Sequence, residues 1–201
     1  AESGFTLKSL LEQHRYDVIF ELILEELGLN YGFLPKALID FHKYHDEVRK
    51  AFEEHLVEGA LYAQNSNDLV NIYFTISPEH EVSFKESLQA IVSKYEKQFG
   101  VRYNIKYSFQ HKSTDTIALD LNDELLRDEK GKLVFRPGGH GALLQNLQEL
   151  DADVVFIKNI DNITVDNRKE LTIKYKKLLL GFLMEKRQII FDYILKLKNN
   201  S

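Results

Sequence analysis

The sequence predicts an α/β protein with a mostly parallel sheet and helices on both faces. Two apolar stretches, residues 69–77 and 153–161, are rich in β-branched or aromatic residues and indicate buried strands. Helical patterns alternate with such strands through the middle of the chain, as is typical of parallel sheets with crossover helices. Ligands of these sheets bind at the carboxyl ends of strands, so the polar residues that follow each strand are candidate site residues.

The remaining elements follow from periodicity and from Gly and Pro. Apolar residues recur at helical spacing over residues 5–27, and Gly28 ends that helix. Residues 165–198 predict one long, partly broken helix. Between them we expect an extended piece at 37–41, helices at 52–63 and 79–99, strands at 101–109 and 116–120, a return at 133–135, and a helix from about 141 to 150.

We divide the chain into an α/β domain at residues 1–165 and a C-terminal helical segment at 166–201. That segment is apolar around much of its circumference near residues 178–184, so a missing domain or a partner chain, including a second copy, is expected to cover it. The chain begins at Ala1 without Met and opens in a helical pattern. We therefore expect a fragment of a larger chain.

Composition excludes several classes of function. The 201 residues carry a net charge of -5, so bulk electrostatics do not favour nucleic-acid binding. The absence of cysteine excludes disulfides, a thiolate nucleophile and a zinc–thiolate site. No uncharged apolar run reaches the ~18 residues of a membrane helix, and no signal peptide is visible. We expect a cytoplasmic protein that binds neither nucleic acid nor membrane.

The segment "FRPGGHGALLQNL" places Gly138, Gly139 and Gly141 around His140, just before a predicted helix. Glycine is costly in ordered structure unless its backbone freedom or its missing Cβ is needed. Either the turn requires left-handed backbone, or main-chain N–H groups approach a phosphate, a sugar or a base edge. Three glycines in four positions exceed the needs of one turn, so we favour a ligand site in which His140 could donate to a phosphate or hydroxyl.

Two other segments carry residues suited to phosphate chemistry. The stretch "FIKNIDN" ends on Asn159, Asp161 and Asn162, whose hard oxygen atoms suit Mg²⁺. Spacing alone favours an ordinary Asx turn at the end of a strand. Lys36 follows Pro35 on constrained backbone, where lysine can neutralise a phosphate as a point charge. By itself, Lys36 is better described as a solvated lysine.

The stretch "SFQHKSTDT" places Gln110, Thr114 and Asp115 after another predicted strand. Their side chains could contact a nucleobase or a phosphate. They could equally form a polar turn with local hydrogen bonds. The sequence leaves both interpretations open.

Two further clusters are not assigned to a site. His42 and His45 lie close to Asp46, but their spacing is unspecific for a metal. The helix at 52–63 carries an acidic face that we interpret as solvated. Glu54 or Glu58 could reach the site from that face.

Several segments, taken in order, resemble a bacterial family known as a domain of unknown function. They are "PKALIDFHKY", "FEEHLVEGA", "SFQHKSTDTIALD", "LVFRPGGHGALLQNL" and "DADVVFIKNIDN", and the match covers nearly the whole chain. More distantly, the chain is similar to sugar nucleotidyltransferases with a GT-A-like, Rossmann-type sheet, especially UDP-sugar pyrophosphorylases. The residues that match motifs of those enzymes, in the same order, are Pro35 and Lys36; Gln110; Pro137, Gly139, His140 and Gly141; and Asn159, Asp161 and Asn162.

This resemblance implies a reaction in which a sugar-1-phosphate oxygen attacks the α-phosphorus of a nucleoside triphosphate and pyrophosphate leaves. Catalysis of this kind rests on positioning and charge neutralisation. The resemblance implies these roles: phosphate binding by Lys36, Mg²⁺ binding by Asp161, nucleotide or sugar contacts by Gly139, His140 and Gly141, and a place near the base or sugar for Gln110.

The chain also departs from those enzymes. No Gly-rich loop precedes Lys36, and their second metal carboxylate and C-terminal lysine have no clear counterpart. We expect a fragment of a nucleotidyltransferase-like protein that binds a nucleotide or nucleotide-sugar with Mg²⁺ and is inactive by itself. The alternative is a non-catalytic pseudoenzyme or interaction module that oligomerises through its apolar C-terminal helix.

Overall fold

Helices and short sheets alternate along residues 6–199, which are the residues that the computed structural model describes. The α/β class is confirmed. The described parts of Ala1–Tyr62 and Asn159–Ser201 form one compact unit, and Ala63–Lys158 form a second. The boundary predicted after residue 165 stays a prediction.

The N-terminal region forms two helices where the sequence predicted one. Helix α1 spans Leu7–Glu12 and helix α2 spans Tyr16–Leu24. His14 lies between them with a left-handed φ of 55°, which breaks the helical path. Phe5, the predicted first residue of this helix, lies outside the described residues.

The first unit centres on a buried helix. Strands β1 (Asp40–Lys43) and β2 (Val48–Lys50) form an antiparallel hairpin that leads directly into helix α3 (Ala51–Tyr62). Phe52 and Leu56 of α3 are fully buried. The N-terminal part of helix α6, which begins at Lys169 and ends at Asn199, packs on α3.

The second unit contains a β–α–β arrangement. Strand β3 (Leu69–Thr75) pairs in parallel with strand β4 (Arg102–Ser108) over their full length, and helix α4 (Glu81–Phe99) connects them. Gly100 ends α4 in the left-handed conformation with φ 65°, as the sequence predicted. These three elements confirm the strand–helix–strand prediction for the middle of the chain.

The rest of the second unit consists of short elements. Strand β5 (Thr116–Ile117) pairs antiparallel with strand β6 (Phe135–Arg136). A 3₁₀ turn at His140–Leu143 leads into helix α5 (Leu144–Gln148). The glycine segment therefore precedes a short helix, at the place where a helix was predicted.

The predicted large sheet is not shown. Among residues 6–199 the strands form three two-stranded sheets, and the β3–β4 sheet is the parallel one. The strand predicted at 153–161 is wrong, because this stretch has no regular secondary structure. Alternate side chains in residues 153–161 are half buried, as in a strand. No described strand pairs with this stretch, however, and an apolar run forms a strand only when a neighbouring strand accepts its hydrogen bonds.

The long helix α6 carries many exposed apolar side chains along its 31 residues. It also carries charges at short intervals. Neither α6 nor any other helix within the described range has the combination of length and apolar content needed to cross a membrane.

Candidate functional site

An ion pair joins the two charged residues that the motif comparison singled out. Lys36 Nζ donates to Asp161 Oδ2 at 2.7 Å, although 125 residues separate them in sequence. The Lys36 side chain is 69% exposed and that of Asp161 is 42% exposed. A pair this exposed contributes little to stability, so its side chains remain accessible to other ligands. The hydrogen bond from Lys36 lowers the pKa of Asp161 below its ordinary value.

Local backbone geometry presents both members of this pair. Lys36 begins a 3₁₀ turn directly after Pro35, whose φ is -66°. Asp161 lies in a turn closed by the hydrogen bond from Asn162 N to Asn159 O at 3.1 Å. We call residues 159–162 the aspartate turn. The ring Nε2 of His55 lies 2.9 Å from the carbonyl oxygen of Ile160, which fixes this turn against α3.

The aspartate turn offers one carboxylate and two exposed asparagines. No group of three acidic, His or Cys side chains that could hold a metal occurs within residues 6–199. Mg²⁺ is commonly held by one or two carboxylates together with substrate phosphates and water. The donor set at Asp161 therefore fits a metal that arrives with a phosphorylated ligand, and does not fit one bound by the protein alone.

A second group of predicted residues comes together in the other compact unit. Gln110 Nε2 donates to Thr114 Oγ1 at 3.2 Å, and Thr114 Oγ1 donates to the carbonyl oxygen of His111 at 2.6 Å. Gly138 lies against this turn: a Cβ added there would be 2.7 Å from the carbonyl oxygen of Thr114. Asp115 is half buried at the end of the turn.

Residues 137–141, which we call the glycine loop, use their glycines in two different ways. Gly138 has no Cβ because the Thr114 backbone occupies the space. Gly139 and Gly141 have open space at the Cβ position, and neither has a positive φ. The folded chain therefore does not require glycine at 139 or 141, and His140 between them is exposed.

Asn146 of α5 is a buried residue that sequence reasoning missed. Its Nδ2 donates to Ser108 Oγ and to the carbonyl oxygen of Phe109, both at 2.7 Å. Its Oδ1 is buried without a hydrogen-bond partner in the described part of the chain. The asparagine ties α5 to the carboxyl end of β4, which carries Gln110 beyond it. A single asparagine in a short helix carries no sequence signal from which this role could be predicted.

The acidic face of α3 is buried, so the interpretation of a solvated face is wrong. Glu53, Glu54 and Glu58 are 6%, 0% and 1% exposed. The Oε2 atom of Glu54 lies 2.6 Å from Lys169 Nζ, and its Oε1 accepts a hydrogen bond from Tyr44 at 2.6 Å. A buried charge is tolerated when a group of opposite charge lies beside it. The sequence did not reveal Lys169 as the partner of Glu54, because the two residues are 115 positions apart.

Four side chains form what we call the buried ionic cluster: Arg49, Glu54 and Lys169, which are buried, and Asp166, which is 43% exposed at its edge. Arg49 Nη1 lies 2.8 Å from Asp166 Oδ2 and 3.7 Å from Glu54 Oε2. Lys169 also lies 3.1 Å from Asp166 and donates to the carbonyl oxygen of Thr164. Glu47 Oε1 also lies 2.7 Å from Arg49 Nε, so three carboxylates surround the two cations. The cluster links the hairpin, α3 and the start of α6.

The two histidines considered for a metal site contact different carboxylates. His42 Nδ1 lies 3.0 Å from Glu54 Oε1, and its side chain is 18% exposed. His45 instead contacts the neighbouring Asp46, and both side chains are almost fully exposed. His42 therefore belongs with Glu54, and the pattern carries no metal site.

Acid is expected to weaken the first unit through Asp166. Partial burial alone would raise the pKa of Asp166, but the hydrogen bond from Lys169 and the charge of Arg49 outweigh it and lower this pKa. A carboxyl with a depressed folded-state pKa contributes stability above its unfolded pKa of about 4, and that stability is lost as pH falls through the folded value. Urea unfolding between pH 6 and 2.5 should show this decline.

The matched variant for this experiment is Asp166→Asn. It should be less stable than the natural chain near pH 6, and the difference should shrink below about pH 4, where the natural carboxyl also becomes neutral. A difference that stays constant with pH would contradict the assignment to Asp166.

Comparison with known proteins gives one family match. A family model described as a domain of unknown function (DUF4301) matches residues 1–201. No curated protein and no solved structure matches the chain. On the evidence of this full-length match, the chain belongs to the DUF4301 family.

Proposed function

We propose that this chain forms part of a sugar-1-phosphate nucleotidyltransferase-like protein that binds a nucleotide or nucleotide-sugar together with Mg²⁺. The observation that carries the proposal is the exposed 2.7 Å ion pair between Lys36 and Asp161. Both residues match motifs of the enzymes that the sequence resembles, and those motifs are far apart along the chain. The proposal also includes a bacterial source, a cytoplasmic location and a relation to the GT-A-like fold.

In this proposal the ion pair is the resting arrangement of two ligand-binding groups. A phosphate group competes for Lys36, whose ammonium acts as a point charge on a mobile stem. Asp161, with Asn159 and Asn162 in the same turn, would then be free to hold Mg²⁺. Bound Mg²⁺ supplies charge neutralisation for the attacking and departing phosphate oxygens.

The glycine loop supports the same class of ligand. Gly139 and Gly141 are not required by the backbone or by neighbouring atoms, which leaves close approach of a ligand as a physical reason for them. Gln110 and Thr114, which lie next to Gly138, offer an amide and a hydroxyl to a base or sugar. Asp115 and His140 are the other polar side chains that we assign to a ligand of this second unit.

Titration calorimetry tests the proposal on the natural protein that carries this sequence. UTP, GTP and their sugar conjugates are added with and without Mg²⁺. We expect binding that requires Mg²⁺ and that weakens about 10–100-fold in Asp161→Asn, the loss expected for a charge-assisted contact. The control Asp151→Asn changes another exposed carboxylate and should bind normally.

A charge exchange separates a functional pair from a merely structural one. The double variant Lys36→Asp/Asp161→Lys rebuilds the ion pair with its charges reversed, so thermal unfolding should be unchanged within about 0.5 kcal/mol. Nucleotide binding should still be lost, because the metal carboxylate and the phosphate-binding ammonium have traded places. Normal binding by this variant would refute the proposal.

The exposed apolar surface of α6 favours a second candidate, a non-catalytic interaction module. That protein would bind no nucleotide in the titrations above, with or without Mg²⁺. It would form stable oligomers that Leu179→Lys abolishes, since Leu179 is 59% exposed on α6. For either candidate, the chain by itself is expected to show no pyrophosphate exchange with sugar-1-phosphates and nucleoside triphosphates.

A further inference from the structure

Helix α6 exposes apolar side chains on every side. At 31 residues it is about 46 Å long, yet its packing on α3 is confined to its N-terminal part. An exposed apolar surface of this extent marks an interaction site. The large apolar side chains exposed on it are Leu171, Tyr175, Leu178, Leu179, Phe182, Leu183, Met184, Ile189, Ile190, Phe191, Tyr193, Ile194, Leu195 and Leu197.

The same helix is strongly basic. From Lys174 to Lys198 it carries seven basic residues and two acidic ones, Glu185 and Asp192. Lys186 and Arg187 lie at its centre, and Lys186 Nζ is 3.5 Å from the exposed carboxylate of Glu185. Exposed apolar residues precede and follow this charged segment. A surface that covers α6 must therefore be both apolar and acidic, because two copies of α6 alone would bring like charges together.

Helix α2 and the turn after it provide a surface of that kind. A groove of about 560 Å³ is lined by Phe20, Glu21, Leu24, Glu25, Glu26 and Leu27. Its apolar members are exposed, Leu27 to 95% and Phe20 to 60%. No basic residue lies between Tyr16 and Leu29, whereas four carboxylates do. We call this surface the acidic groove.

We propose that the centre of α6 from one copy of this chain binds in the acidic groove of a second copy, and that two-fold symmetry repeats the contact. In this contact the apolar residues of the groove pack on Phe182 and Leu183 of α6, and Glu25 and Glu26 pair with Lys186 and Arg187. The occupant is a second copy because charge complementarity lies within one sequence. This inference does not rest on the proposed nucleotide function.

Two-fold symmetry enlarges the proposed interface. A symmetric dimer contains the contact twice, once in each direction. Each copy therefore contributes both an acidic groove and the centre of an α6 helix to the interface.

Charge exchange tests the pairing, with sedimentation velocity over a range of concentrations as the measurement. The natural chain should be a dimer. Glu25→Lys/Glu26→Lys and, separately, Lys186→Glu/Arg187→Glu should each raise the dimer dissociation constant at least 10-fold. Combining all four changes in one chain should restore the dimer. The control Lys112→Glu/Lys130→Glu alters exposed lysines of the other compact unit and should leave the constant unchanged.

Cysteine cross-linking gives a second readout that does not depend on charge. The chain has no cysteine, so a chain with Leu24→Cys and a chain with Leu183→Cys can each carry a single thiol. Mixed under oxidation, they should form the disulfide heterodimer in preference to either homodimer. Leu121→Cys, at a fully exposed position, should not form it with Leu183→Cys.

Three results would overturn the inference. One is a natural chain that stays monomeric at all concentrations, as it would if another protein covers α6. Another is a dimer that the Glu25→Lys/Glu26→Lys variant leaves intact. The last is a dimer that the four-fold charge exchange fails to restore, with no cross-link between the cysteines at 24 and 183. Circular dichroism of each variant confirms that its helices are formed.

Discussion

Replacing Lys169 with methionine is expected to lower the free energy of unfolding by about 3–5 kcal/mol. Lys169 is 2% exposed and its ammonium lies 2.6 Å from the carboxylate of Glu54, which is fully buried. The methionine side chain fills similar space but leaves Glu54 without its closest cation. Urea unfolding followed by circular dichroism measures the loss.

Lys174→Met is the matched control, because it makes the same change five residues later on the same helix at an exposed position. It should change stability by no more than about 0.5 kcal/mol. Adding Glu54→Gln to Lys169→Met should recover part of the loss, since the uncompensated charge is then removed. Equal effects of the two lysine substitutions would contradict the role given to the buried ionic cluster.

The buried ionic cluster also bears on the candidate site. Lys169 donates to the carbonyl oxygen of Thr164, and His55 lies within hydrogen-bond distance of that of Ile160. Two side-chain contacts thus hold the stretch between the aspartate turn and α6 on both sides of residue 162. Rigid support of this kind would keep Asp161 in a defined geometry if it binds a ligand as proposed.

The elements that were predicted well from sequence contain residues that mark where they begin and end. Helix α4 follows a turn that starts at Pro78, and Gly100 caps its C-terminal end. Both residues mark the limits of the helix in the sequence itself. Strand β3 is rich in apolar and β-branched residues over its seven positions, and strand β4 alternates polar with apolar residues over seven positions. Local chemistry decided these elements, so periodicity was sufficient.

The errors arose where distant residues decide the outcome. The apolar stretch at 153–161 has the composition of a strand but no described strand beside it. Glu54 lies in a stretch whose composition is typical of a solvated helix face. It is nevertheless buried, because Lys169, 115 residues away, pairs with it in the interior. Neither a missing sheet neighbour nor a distant counter-charge is visible in a window of ten residues.

For the candidate site, sequence reasoning identified residues but not their arrangement. Motif resemblance selected Lys36 and Asp161, and the structure adds their direct contact. Motif resemblance also selected Gln110, the run of glycines selected Gly138, and the structure adds that Gly138 packs on the turn containing Gln110 and Thr114. The first pair and the second group belong to different compact units, and binding experiments must probe them separately.

The glycine loop provides the means to separate a folding role from a ligand role. Gly138→Ala should lower the free energy of unfolding by about 1–3 kcal/mol, the usual cost of an overpacked site. Its new Cβ would lie 2.7 Å from the carbonyl oxygen of Thr114 and 3.1 Å from the Cβ of Ala142, so the backbone must move. Thermal unfolding of the variant measures this loss.

Gly139→Ala is the matched substitution one residue away, and it should leave stability unchanged within about 0.5 kcal/mol. Its φ of -72° suits alanine, and no atom lies within 4 Å of the added Cβ. If a nucleotide approaches the main chain here, the methyl group should weaken Mg²⁺-dependent nucleotide binding at least 10-fold in a fully stable protein. Normal binding by Gly139→Ala would leave the glycine loop with a folding role at Gly138 alone, because only there does the fold itself exclude a side chain.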